Sequence, residues 1–225
     1  LSEVENRHVL DDLLQQPSLS KRGYKAVHFE GPDRRGIDVA LLYNPKVFHL
    51  ESAMLVPFVY RDSLQPDVDL GFYWDADGKI QPHSNKNGEL IGDTTYITRG
   101  FLTVGGRLGD EKFFFIVNHW PSRGAQSPVR ERAGYQVRKL KEALLQQHPG
   151  ARIVIWVTSM TTPTMPLWML PKHSVLNTKQ LTSLRPTIYT TLGGICSTTK
   201  ASARSTTEAS GISSIKSSSL LVFSI

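Results

Sequence analysis

The first two thirds of the chain alternate short apolar runs with polar turns, and the last third loses that pattern. Val9, Leu10, Leu13 and Leu14 recur at helical spacing and stop before Pro17, which predicts a helix preceded by a strand end and loop over Glu3-Val4-Glu5-Asn6-Arg7. Tyr24–Glu30 and Ile37–Tyr43 flank the turn Gly31-Pro32-Asp33-Arg34-Arg35-Gly36 and predict a hairpin. Val47–Leu50, Met54–Val59 and Phe101–Val104 predict further short strands, the last ended by Gly105-Gly106. Phe113–Val117 is aromatic and β-branched, bounded by Gly109-Asp110 and Pro121. It predicts a buried strand that carries Asn118, His119 and Trp120 to its C-terminal edge. Ser127 as N-cap, Pro128 behind it and Glu131 in the first turn predict a helix. Ala133, Val137, Leu140 and Leu144 form its apolar stripe, and Arg138, Lys139 and Lys141 a solvated face. Pro149-Gly150 stops it, and Ala151–Ile155 opens a strand buried on both faces.

Residues 61–95 are polar and loop-like, the kind of insertion that often faces a substrate. Asp75-Ala76-Asp77-Gly78 lacks the closing glutamate of a calcium loop and reads as a turn. After Ile155 prolines recur at 163, 166, 171 and 186, and 13 of the 24 residues from 196 to 219 are Ser or Thr. No amphipathic element emerges there, which reads as a low-complexity tail.

Charge follows the same division. The net charge is +6, but residues 1–150 hold 19 Lys or Arg against 19 Asp or Glu. The excess lies in the last 75 residues, where seven bases face the single acid Glu208. A basic tail of that kind can bind phosphates, so a non-catalytic nucleic-acid or phosphate-binding module is one reading of the chain. One cysteine, Cys196, excludes an internal disulfide framework and a multi-cysteine zinc site. No apolar run is long enough to span a membrane. The opening Leu1-Ser2-Glu3-Val4 reads as the end of a strand and suggests an N-terminal truncation.

Candidate chemistry gathers at strand ends. Glu3 at a strand edge could hold a hard cation; the alternative, a helix-terminal acid, suits Glu5 better. His119 is either an ordinary strand-end histidine bonded to backbone or one member of a hydrolytic site. Asp38 inside an apolar strand either faces solvent or pairs with a base such as Arg35.

Four segments taken in order resemble the endonuclease/exonuclease/phosphatase superfamily, which includes DNase I-like enzymes. They are Glu3–Arg7, Arg35–Tyr43, Thr98-Arg99-Gly100 and Val117-Asn118-His119-Trp120-Pro121-Ser122-Arg123. The resemblance covers residues 1–155. It implies an α/β (α+β) fold, a four-layer sandwich of two packed, mostly antiparallel sheets with outer helices, incomplete here. It also implies hydrolysis of a phosphate-ester substrate, nucleic acid among the candidates, with Mg²⁺ or Mn²⁺; separately, the chain is expected to be a monomer. On that basis Glu3 is the metal ligand, His119 and Asn118 are catalytic, and Arg99 and Arg123 contact substrate phosphate. Salt bridges at the rim are an equal alternative for the two arginines.

The chain departs from the family at three places. No Asn-bearing strand precedes Glu3, no Gly-Asp-x-Asn follows the Ile153 strand, and no Asp-His pair can close the chain, since no Asp follows Asp110. Codons exist for Ile155–Pro163 that, shifted by two bases, spell Met-Gly-Asp-Phe-Asn-Asp-Asp-Pro, the missing motif at its expected place. Two later stretches spell family-like segments in the same phase. Residues 156–225 are therefore expected to be an out-of-frame translation, non-native or disordered, behind a partial domain at 1–155. Such a chain keeps half of a hydrolytic site and is expected to be inactive.

Overall fold

The computed structural model describes residues 1–61, 64–84, 98–120, 127–158 and 218–223. The chain opens with β1 (Ser2–Val4), α1 (Arg7–Gln15), α2 (Pro17–Ser20), β2 (Lys25–His28) and β3 (Asp38–Tyr43). Asn6 caps α1 by accepting the Val9 N–H at 3.1 Å, which satisfies one of the donors that a helix start leaves open. β3 lies between β1 and β2 and is antiparallel to both, so the expected hairpin forms. Leu10 of α1 is buried with Val4 and Ala40, so the helix covers the outer face of this small sheet.

A larger sheet follows, from β4 (Phe48–Val56), β7 (Phe101–Leu108), β8 (Glu111–His119), β9 (Arg152–Thr158) and β10 (Ser218–Phe223), in the order β10-β9-β8-β7-β4. Between β4 and β7 the short pair β5 (Phe72–Trp74) and β6 (Ile80–Pro82) forms its own hairpin. α3 (Ser127–Gln147) links β8 to β9, the one parallel pair among the described strands, as a helical crossover allows. β10 lies within the stretch read as tail and pairs antiparallel with β9.

The layers follow from alternation along the strands. Phe113 and Val117 of β8 face the small sheet, in a core with Val27, Val39, Leu102 and Val104. Phe114 and Ile116 face the other way, onto Ala133, Val137, Leu140 and Leu144 of α3. The result is helix, sheet, sheet, helix, the four-layer arrangement expected from the sequence. Each large side chain so buried contributes about 1.5–3 kcal/mol.

Several local expectations are corrected. The two runs at 47–59 are one strand with an irregularity between Leu50 and Ser52. Gly105 and Gly106 lie inside β7 rather than ending it, because the Phe48 and Phe114 rings pack where their side chains would be. The polar 61–95 stretch contains β5 and β6; Asp75–Gly78 is the turn between them, Asp75 Oδ1 accepting the Asp77 and Lys79 N–H groups at 3.0 and 2.8 Å. α3 begins at Ser127 itself, so Glu131 falls outside its first turn. Lys141 is buried, not solvated, and burial lowers its pKa. Among the described residues no helix is long and apolar enough to cross a membrane.

Candidate active site

β8 determines where the site sits. Successive residues of a strand face opposite sides, so His119 falls on the inter-sheet side with Phe113 and Val117, and Asn118 on the α3 side with Phe114 and Ile116. Both are buried at the C-terminal edge of the strand. Asn118 Nδ2 donates to the Ile116 and Trp156 carbonyls at 3.2 and 3.3 Å, which ties β8 to β9. Three consecutive residues each keep a buried polar atom without a hydrogen-bond partner among the described residues: Asn118 Oδ1, His119 Nδ1 and Trp120 Nε1. Buried polar atoms are almost always paired; Asn118 and His119 lie on opposite faces of β8, so the unpartnered His119 Nδ1 is the one on the inter-sheet side.

Glu3 reaches this edge from the other sheet. The register of β1 against β3 steps from Ser2–Val39 to Val4–Asp38, two residues against one, so Glu3 is the bulged residue. Its φ is +58°, the one left-handed non-glycine among the described residues. Such a conformation costs about 1–3 kcal/mol and concentrates at functional sites. The bulge re-aims the side chain, and Glu3 Oε1 comes to 3.7 Å from His119 Nε2. Two residues 116 positions apart, singled out separately in the sequence, thus meet across the sheets.

The hairpin loop braces the histidine. Arg99, just before β7, is buried and donates from Nε to the His119 carbonyl at 3.1 Å and from an Nη to the Trp120 carbonyl at 3.5 Å. Its other Nη donates to Asp33 Oδ2 at 2.7 Å. Burial alone would raise the Asp33 pKa, but the Arg35 backbone N–H and the Arg99 guanidinium outweigh it and hold the carboxyl below its usual range. His119 moves further: burial, then the Arg99 and Arg35 charges, lower its pKa to about 4 against the opposing pull of Asp33. At neutral pH the imidazole is therefore neutral and offers one N–H.

Asp38 pairs with a base, as one of the two expectations had it, but the base is His28 rather than Arg35. It is buried and bonded to His28 Nε2 at 3.1 Å and to the Gly31 N–H at 2.9 Å, not to Arg35, whose partner is Asp33. A side chain at Gly31 would meet Asp38 Oδ1 at 2.8 Å, so it would push the carboxylate off its present position. His28, Glu30 and Asp38 place ligand-type atoms within 4.8 Å of one another. Both Asp38 oxygens are already engaged, however, so this cluster reads as a clamp on the hairpin neck. Arg123 lies outside the described residues. Sequence reasoning missed Asp33, whose only signal was an acid just ahead of two arginines in a turn.

The chain matches the model of the endonuclease/exonuclease/phosphatase family over residues 1–68 and 58–165. A comparison with curated protein sequences finds no match. Among solved structures it is similar to truncated TDP2 of Caenorhabditis elegans, with 18% identity, 70% of this chain and 46% of that chain covered, and a TM-score of 0.44. Similar too are ANGEL2, a 2′,3′-cyclic phosphatase, with 16% identity, coverage of 75% and 40% and a TM-score of 0.47, and the human Nocturnin catalytic domain, with 17% identity, coverage of 73% and 51% and a TM-score of 0.45. The chain spans less than half the length of the first two and about half of the third. The family match takes in Glu3, the Asp33 loop, Arg99 and the end of β8, and the chain belongs to the endonuclease/exonuclease/phosphatase family.

Proposed function

We propose that this chain carries the phosphate-facing half of a metal-dependent phosphoester hydrolase, and that as it stands it turns over little or no substrate. The observation that carries the reading is the meeting of the bulged Glu3 carboxylate and the His119 imidazole at 3.7 Å, with His119 Nδ1 buried and unpartnered among the described residues.

The residues fit a divalent cation as part of its shell. Glu3 offers the carboxylate oxygen that a hard ion wants, and Mg²⁺ commonly takes one or two carboxylates and leaves its remaining positions to water and substrate. Bound there, Mg²⁺ or Mn²⁺ would polarise the phosphoryl group and offset its charge. Charge bookkeeping agrees: with His119 neutral, Glu3 and Asp33 balance Arg35 and Arg99, leaving a corner in which a dication and a phosphate dianion cancel.

His119 donates its N–H to a phosphate oxygen, and a bound anion raises its pKa toward the imidazolium that best stabilises developing charge. Asn118 holds the β8 edge to β9, so the histidine is presented on rigid backbone. Arg99 acts from behind through the His119 carbonyl and adds positive potential. By the family resemblance Arg123, which lies outside the described residues, would add a further phosphate contact. Missing are the groups that position the attacking water and the acid–base His–Asp pair, since the sequence has no Gly-Asp-x-Asn after Ile153 and no Asp after Asp110.

The test is hydrolysis of DNA and of a small phosphodiester with Mg²⁺. Activity at background is expected. Robust turnover that His119→Ala abolishes would show that the site is complete and the inactivity reading wrong; turnover unaffected by Glu3→Gln and His119→Ala would place the site elsewhere. The tail belongs to the same reading: residues from about 156 are an out-of-frame product, and the intact protein carries the missing half there.

A further inference from the structure

Asp33 holds two guanidinium groups, and only one of them is buried. Its Oδ2 takes Arg99, whose side chain is 4% exposed, and its Oδ1 takes both the backbone N–H and the Nε of Arg35 at 3.0 and 3.3 Å. The Arg35 side chain is 62% exposed. Among the described residues it makes no other hydrogen bond or ion pair, so its two Nη groups stay available. The turn that places it is tight: the Gly36 N–H donates to the Asp33 carbonyl at 2.8 Å, and Gly36 takes φ +64°. The loop is pinned at its neck by Asp38 on Gly31 and at its tip by Asp33 on Arg99. Arg35 is therefore a cation on a braced loop rather than a loose surface side chain, and the carboxylate that holds it also holds Arg99, which donates to the His119 carbonyl at 3.1 Å.

We propose that Arg35 is a substrate-phosphate contact of this site, gripping the anion from the solvent side while Arg99, fixed by the same carboxylate, holds the histidine from behind. The inference rests on the phosphate-facing reading of His119 and adds a residue to it. Asp33 fixes the Nε edge of Arg35 and so orients the planar Nη pair, the arrangement that favours two-point binding of a phosphate over the point charge of a lysine. The neighbouring Arg34 is exposed and has no such brace.

Calorimetric titration of the full chain with inorganic phosphate in the presence of Mg²⁺ tests this. Arg35→Gln is expected to weaken binding roughly tenfold and Arg35→Lys by a smaller factor. Arg34→Gln is expected to leave it within about twofold, with thermal melts unchanged for all three exposed-site variants. Binding that survives Arg35→Gln but is lost in His119→Ala overturns the role of Arg35 and leaves the site reading standing. An equal loss in Arg34→Gln and Arg35→Gln also overturns it, because general attraction by a basic loop then suffices. Failure of the unsubstituted chain to bind phosphate overturns the site reading and this inference with it.

Discussion

At the scale of single residues, the Asp33–Arg99 pair is the most exposed to failure by substitution. Both side chains are buried, and Arg99 also serves the His119 and Trp120 carbonyls. Asp33→Ala would remove a carboxylate from a buried guanidinium, and urea unfolding should show a loss of up to about 3–5 kcal/mol. His119 predicts a pH effect of definite sign. Folded, it titrates near pH 4; unfolded, near its ordinary value of 6.5. Between those values the unfolded chain binds more protons, so stability rises with pH across the window. The contribution is fully present above pH 6.5 and is lost as pH falls through 4, with an upper bound of roughly 3 kcal/mol. Unfolding free energies measured from pH 7 to 4 should fall less steeply for His119→Gln than for the unsubstituted chain; parallel curves would mean that the imidazole is not depressed. The pattern of residue types located Glu3 and His119 but not what joins them. Asp33 and Arg99 lie 66 positions apart, and the bulge that turns Glu3 depends on how β1 registers against β3. Neither leaves a periodic trace in the chain.

At the scale of elements, α3 does more than its apolar stripe indicates. Gln136 is almost fully buried, with Oε1 accepting the Val59 N–H at 3.0 Å and Nε2 donating to the Leu70 carbonyl at 2.9 Å and the Pro57 carbonyl at 3.4 Å. Arg132 donates to the carbonyls of Val59, Pro66 and Asp69. The helix therefore supplies the hydrogen bonds that an irregular backbone segment cannot make for itself. Gln136→Leu keeps similar bulk but strands those groups, and a destabilisation of about 2–4 kcal/mol is expected by thermal or urea melting. Strands and helices with a clear apolar pattern were legible in the sequence for a physical reason: α3 buries one stripe, while β3 and β8 are short continuous apolar runs buried on both faces. Gly105-Gly106 was not. Glycine in a strand usually signals a break, but here rings from β4 and β8 fill the space above it. Gly106→Ala would set a methyl group 2.3 Å from the His49 carbonyl and 2.4 Å from the Phe48 ring. Overpacking of that kind costs about 1–3 kcal/mol, so the same melt should drop by that amount.

At the scale of the whole molecule, the site is made where two sheets meet. Glu3 comes from the small sheet and His119 from the large one, so their separation depends on the inter-sheet core of Val27, Val39, Leu102 and Val117. That core belongs to the charge-balanced first two thirds of the chain. The excess of base and the Ser/Thr bias belong to the rest, where the family's water-positioning and acid–base groups are missing. The proposed slip of reading frame would account for all of these together, and codons exist that spell family-like segments in one phase. The family match reaches residue 165, so the nucleotides encoding residues 150–170 are the ones to read. They are expected to encode Gly-Asp-Phe-Asn two bases out of phase with Trp156–Thr161. Synonymous codons that cannot give that motif would eliminate the slip. Where the codons agree, restoring the frame should yield a protein with Mg²⁺-dependent phosphodiesterase activity. That activity should fall by several orders of magnitude in both Glu3→Gln and His119→Ala, since removing one member of a catalytic set costs about as much as removing several. A restored chain that stays at background would mean that the half-site described here was never part of a working one.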